Sequence, residues 1–412
     1  MATAVGRRMT GWQQVLPLGA GASLPRWVAD ARLAQLAWSR LAEPEDLEAR
    51  RFVGHRGPSA ALERLASPAP VSAAECFEGE SVERLRRGLA RWASRWDQTD
   101  PERDLDRLHA LGGRVVLPGD AEWPDGLALL DGDEPFALWV RGPLDLAAAC
   151  ERSIAVVGAR AATAYGERIA SQLGIGLGDA GATTISGAAL GIDGAAHRGA
   201  LASGGPTVAV LACGVDRAYP PSHAALLRAL CEEGLVVSEL PPGSSPMKRR
   251  FLQRNRLIAA AAGATVVVEA GWRSGALSTA NRAQMIGKPI GAVPGPITSP
   301  SSEGCHRLLR REAVCITDAS EALQLLKITR ADPERPVPAR PHDGLSDLAG
   351  RVLDAVPLLD PRSAQSIVGA AGLPLEEVRA GLEDLVMHGL VVPEGGGWRR
   401  APLEEPPTGR GQ

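Results

Sequence analysis

Aromatic residues make up only 4% of this 412-residue chain, and its six cysteines stand far apart. Cys76, Cys150, Cys213, Cys231, Cys305 and Cys315 form no C-x-x-C pair and no zinc-type Cys/His spacing, so they read as reduced thiols, mostly of the core. No run of about 18 apolar residues is free of charge. The start of the chain, with Arg7 and Arg8 ahead of Trp12, lacks a continuous signal-peptide core. The expectation is a cytoplasmic protein with no membrane partner. Catalytic signatures are missing too. Gly287 and Lys288 are followed by Pro289, which rules out a P-loop, and neither G-x-S-x-G nor H-E-x-x-H occurs. Gly176, Gly178 and Gly181 do spell G-x-G-x-x-G, but they close a helical stretch and precede a strand, the reverse of a dinucleotide site. Asp193 and His197 lie four apart without a third ligand, so no metal and no cofactor is implied.

What is present suits a globular protein of two or three domains, with 45% hydrophobic and 23% charged residues. The net charge of −3 hides an asymmetry. Residues 1–151 hold 18 basic against 23 acidic side chains, residues 152–330 hold 19 against 12, and residues 331–412 hold 8 against 13. The middle third, at +7, is the part suited to a polyanion.

Periodicity divides the chain further. Residues 1–28 show no convincing period and read as an extension, and residues 29–109 carry a helical pattern as an accessory domain. Its Arg84, Arg86, Arg87, Arg91, Trp92, Arg95 and Trp96 read as a solvated helix face with buried tryptophans rather than a nucleic-acid surface. Residues 110–330 form the central domain. Extended runs at 114–117 and 136–140 lead into short apolar strands at 154–157, 183–186, 207–211, 235–238, 265–268 and 290–293, separated by helical stretches. Strands apolar on both faces and alternating with helices predict an α/β fold, a doubly wound, Rossmann-like parallel sheet. Pro333, Pro336, Pro338 and Pro341 mark a linker over 331–342. Residues 343–400 then predict three helices and a hairpin, a winged helix-turn-helix, and 401–412 a tail.

In doubly wound sheets anions are met beyond the C-terminal strand ends. Gly158 to Arg160 follow the first strand, and Ser186 and Gly187 open a small-residue turn after the second, with Asp193 suited to an N-cap. The densest positive stretch is Lys248, Arg249, Arg250, Phe251, Arg254, Asn255 and Arg256. An aromatic among guanidinium groups neutralises phosphates and stacks a base, the combination used on single strands.

These residues resemble a known family. Val157 to Arg160 with Tyr165 and Gly166, the segment from Ser186 to His197, Tyr219 and Pro220, Ser238 to Gly243, Phe251 with Arg254 to Arg256, Glu269 with Ser274 and Gly275, and Val293 to Pro296 occur in the order of the DNA-processing protein A (DprA, or Smf) family. The resemblance covers about residues 110–320. It implies single-stranded DNA as ligand, a homodimer, and loading of the RecA recombinase in natural transformation (competence). By motif, Arg160, Ser186, Gly187, Arg254, Asn255, Arg256, Ser274 and Gly275 become the expected nucleotide contacts, with Phe251 stacking; Lys248, Arg249 and Arg250 join the expected DNA contacts on charge alone. Leu252 and Ala276 depart from the proline and serine frequent in the family.

Two rivals carry less. A LOG-like nucleotide phosphoribohydrolase needs P-G-G-x-G-T-x-x-E, which is missing, so the expectation is not an enzyme. A winged-helix transcription factor would read DNA with a helix that here carries Glu376, Glu377, Glu383 and Asp384 against Arg379.

Overall fold

The computed structural model describes residues 23–76, 81–327 and 345–401. The expected linker at 331–342, most of the first extension and all but the first residue of the tail lie outside the described residues. The chain divides into two compact units after Ala331.

The first unit is built on a nine-stranded sheet: β1 (Gly113–Val116), β2 (Leu138–Arg141), β3 (Ser153–Val157), β4 (Thr183–Ser186), β5 (Thr207–Val210), β6 (Leu235–Ser238), β7 (Ala264–Val267), β8 (Ile290–Ala292) and β9 (Val314–Cys315). Their order across the sheet is β1-β2-β6-β5-β4-β3-β7-β8-β9. From β6 to β9 every pairing is parallel, while β1 and β2 add an antiparallel margin. The apolar runs explain this. Along β3 the side chains of Ala155 and Val157 enter one core and those of Ile154 and Val156 another, so both faces are covered by helices. This is the Rossmann-like sheet that the sequence pattern predicts. The short edge strand β9, two exposed residues, offers no period and is legible only in the structure.

Close helix packing depends on glycine. A Cβ at Gly174 would stand 2.3 Å from the Ala196 carbonyl oxygen, and one at Gly199 would stand 2.2 Å from that of Ser171. Those contacts bring helix Ala164–Asp179 against helix Ile192–Ala202. Gly176 and Gly178 lie in the last turns of the former, and Gly181 follows at φ 67°, a left-handed turn into β4. The G-x-G-x-x-G here serves helix packing and exit.

The amino-terminal helices belong to the same unit. Trp38, Phe52, Trp92 and Phe136 make an aromatic core with ring centroids 5.3–6.1 Å apart. The arginines around it pair with acids: Arg91 with Asp46 and Glu48, Arg95 with Glu43, Arg86 with Glu83. Leu36 and Leu108 share a core with Trp139 of β2 and Val236 of β6. Polar contacts reinforce the seam, with Arg40 bidentate on Asp104 and also donating to the Pro242 carbonyl at 2.8 Å.

The second unit holds helices Asp347–Ala355, Ala364–Ala371 and Leu375–Met387 and the hairpin β10 (Val391–Glu394) to β11 (Gly397–Arg400). Ser346 and Ser363 cap the first two helices, and Gly372 at φ 63° ends the second. Val352, Ile367, Val378, Leu382, Leu385 and Val391 form its core. Among the described residues no helix is long and apolar enough to cross a membrane.

One buried ion pair holds the sheet to the helix that follows β6. Arg256, 1% exposed in its side chain, donates to both Glu239 carboxylate oxygens at 2.8 and 2.7 Å, with Asp133 at 3.1 Å from Nε. Glu239→Ala therefore strands a buried guanidinium. The expected cost is about 3 kcal/mol, the low end for breaking a buried pair because Asp133 remains. Urea unfolding of the variant would measure it, and a midpoint equal to the parent's would show the pair to be dispensable.

Candidate nucleic-acid interface

The chain runs from β3 outward to β6 on one side and then returns to lay β7, β8 and β9 on the other. The reversal falls between β3 and β7, where the diverging loops leave a crevice. A cleft of about 480 Å³ lies there, lined by Gly158 to Ala161 after β3, by Ala189 and Asp193 after β4, by Gly271 and Ser274 to Ala276 after β7, and by Phe251, Arg254 and Asn255.

Arg254 forms its floor. Only 4% exposed, it donates Nη1 to the Gly187 carbonyl at 2.9 Å and to that of Val210. Its Nε is buried without a partner among the described residues. Burial brings its pKa down to about 10, with Arg160 adding to the effect, so it is still a cation at neutral pH. Asp193 supports it. Burial pushes that carboxyl up and Arg254 pulls it back, while Gly187 N and Ala189 N donate to it at 3.2 and 3.4 Å. Asp193 is not the N-cap expected from the sequence, because Gly191 takes that position and the carboxylate turns back to hold the preceding loop. That loop is strained, with Ala188 at φ 53°. Gly187 must be glycine, since a Cβ there would meet the Arg254 guanidinium at 2.2–2.5 Å.

The rim is aromatic and cationic. The exposed Arg160 guanidinium sits 4.7 Å from the centre of the Phe251 ring, and the Tyr219 ring packs against the same Phe251 ring with centroids 5.4 Å apart. Tyr219, 39% exposed, was not among the residues singled out for contact, although it stands in the family motif. Asn255 donates to the Gly275 carbonyl at 3.3 Å and so fixes the β7 loop, and Ser274 accepts from Ala276 N at the same distance.

The remaining sequence candidates separate from the cleft. Ser186 is fully buried and its hydroxyl donates to the Val156 carbonyl at 2.6 Å, so it ties β4 to β3. Arg256 is consumed by Glu239 and Asp133 and faces away from the cleft lining. It is corrected from nucleotide contact to core ion pair. Arg250 is likewise engaged, with Glu43 at 2.9 and 2.7 Å. Lys248 and Arg249 are exposed and form no ion pair among the described residues. His197 is a neutral core side chain, lowered to about 3 by burial and donating to or accepting from Thr207 Oγ1 at 2.7 Å. Other motif residues act as staples: Thr163 N and Oγ1 donate to Glu269, and Tyr165 donates to the Pro294 carbonyl.

A Rossmann-like sheet whose switch point is floored by a buried arginine and rimmed by arginine and aromatic rings offers a cleft of a kind suited to an anion. Comparison with known proteins narrows the class. The family model for DNA recombination-mediator protein A matches residues 114–327. The DNA processing protein DprA of Mycobacterium tuberculosis is 42% identical over 337 residues, which cover 78% of this chain and 87% of that protein. Protein Smf of Escherichia coli is 35% identical over 297 residues, covering 69% and 77%. The X-ray structure of DprA from Streptococcus pneumoniae superposes with a TM-score of 0.56 at 28% identity over 73% of this chain and 97% of that one. The chain belongs to the DNA recombination-mediator protein A family.

Arg160 and Arg254 are expected to respond differently to truncation. Arg160→Ala removes an exposed cation and should weaken binding of an anionic oligomer about tenfold with the melting temperature unchanged. Arg254→Ala should lower both affinity and melting temperature, because buried Asp193 loses the nearby positive charge that offsets its burial and keeps only its two backbone donors. Titration and thermal melting of each variant decide it, and normal binding by Arg160→Ala would remove the rim from the site.

Proposed function

We propose that the chain binds single-stranded DNA in the switch-point cleft and, as a homodimer, helps to load the RecA recombinase on incoming DNA in natural transformation. The observation that carries the binding is the cleft itself. A cationic floor meets phosphate, while the Arg160, Phe251 and Tyr219 row gives π-faces that an unpaired base can use and a stacked duplex cannot. Family membership supports the recombination role and the choice of RecA as partner. Hydrolysis fits the site poorly. Asp193 is the carboxylate in the cleft lining, and it already serves Arg254 and two backbone amides.

The acidic second unit we read as a winged helix with an interaction or regulatory role. Residues 343–400 carry five arginines against nine acids, a field that repels phosphate at long range. Arg399 pairs with Glu394, and Arg400 donates to the Val356 carbonyl, so the hairpin's two cations are already engaged.

Filter binding at two salt concentrations tests this reading. Affinity for oligothymidylate should fall steeply between 50 and 200 mM salt, with a log–log slope of about −0.7 for each phosphate neutralised. A chain ending at Ala331, the boundary of the first compact unit, should keep most of that affinity, and the second unit alone should not retain a duplex probe. Salt-independent binding, or binding that travels with the second unit, would overturn the reading.

A further inference from the structure

We propose that Trp272, with Arg307 stacked on it, is a second base-stacking platform that carries single-stranded DNA out of the cleft past the turn after β7; this rests on the function proposed above. Beyond β2 the sheet domain uses almost no aromatic side chains. Between residues 152 and 327 there are four, namely Tyr165, Tyr219, Phe251 and Trp272. Tyr165 is bound to the Pro294 carbonyl, and Tyr219 and Phe251 form the rim already described. Trp272 is the fourth, and it is 56% exposed. Among the described residues every other tryptophan is buried or half-buried.

Its position ties it to the cleft. Trp272 sits in the turn after β7, closed by Ser274 N donating to the Gly271 carbonyl at 3.0 Å, and both ends of that turn line the cleft. Pro300 and Ser301 line it too, and they lead into helix Glu303–Leu309, which supplies Arg307. The Arg307 guanidinium lies 4.9 Å from the centre of the indole, and it forms no ion pair among the described residues. A large apolar ring left in water costs free energy unless something covers it. Here one face is taken by a cation and the exposed part is free for a base, while the same cation is placed to meet the adjoining phosphate. The pair repeats the Arg160 and Phe251 arrangement, with aromatic and guanidinium at 4.9 Å against 4.7 Å.

The test uses the full chain, its Trp272→Ala, Trp272→Phe and Arg307→Gln variants, and an oligothymidylate series of increasing length. Trp272→Ala should bind the shortest oligomers like the parent and lose about tenfold on longer ones, the effect of one lost base stack. Trp272→Phe should recover most of the loss, which a merely structural role for the indole would not predict, and Arg307→Gln should give an intermediate loss. Parent fluorescence should be quenched by long oligomers and that quench should vanish in Trp272→Phe. If the parent binds and Trp272→Ala matches it at every length, the platform is overturned and the cleft stands. If the parent binds no oligomer, the proposed function falls and the platform with it.

Discussion

A guanidinium group holds its proton at any pH the protein meets, so burying one obliges the surroundings to supply negative charge and carbonyl oxygens. Arg254 imposes that constraint on the centre of the sheet. Asp193 must lie beneath it, Gly187 must lack a side chain, Ala188 must take a left-handed backbone, and the ends of β4 and β5 must offer carbonyls. These demands fix the loop after β4, and that loop forms one wall of the cleft. Under the proposed function an incoming phosphate would meet a cation that is already dehydrated and positioned, so little reorganisation would stand against binding.

The same helix, Lys248–Ala261, holds the unit together along its other faces. Arg256 enters the Glu239 and Asp133 pocket, Arg250 grips Glu43, and Gln253 donates to the Pro44 carbonyl. With Arg282 on Glu45, these contacts bind the amino-terminal helices to the sheet through one short acidic stretch, residues 43–45. The helical region is thus fastened to the element that supplies the cleft floor. Its apolar seam, Leu36 and Leu108 against Trp139 and Val236, would be bared by separating it near residue 110.

The sheet was legible in the sequence because a strand buried on both faces leaves a continuous apolar run. The runs at 154–157, 183–186, 207–211 and 235–238 each coincide with a strand to within a residue. Individual contacts were less legible. Five cations between Lys248 and Arg256 look alike in a charge count, yet their fates differ with the 100° step between successive helix positions. Lys248 and Arg249 face water, Arg254 faces the cleft, and Arg250 and Arg256 are neutralised by Glu43 and Glu239, residues from separate parts of the chain. A net charge of +7 for the middle segment therefore overstates what a polyanion meets. Local sequence carries no signal for such long-range pairing.

Scarcity of aromatics has a structural consequence. The two cores on either face of β3 are filled by Ala, Val, Ile and Leu with Cys150 and Cys305, side chains small enough for glycine-spaced helices to lie close upon the strands. Large rings would not fit between helices whose backbones approach as closely as Gly174 and Ala196 do. The amino-terminal module is the reverse, a core built on Trp38, Phe52, Trp92 and Phe136. Of the four aromatic residues between β3 and Lys327, Tyr165 packs against one core from helix Ala164–Asp179, whereas Phe251 stands in the first turn of helix Lys248–Ala261 and Tyr219 and Trp272 stand in loops after strand ends. Three of the four gather around the switch-point cleft, two of them beneath guanidinium groups. Tight packing within the fold thus leaves three of its aromatic rings on the face where the parallel strands end.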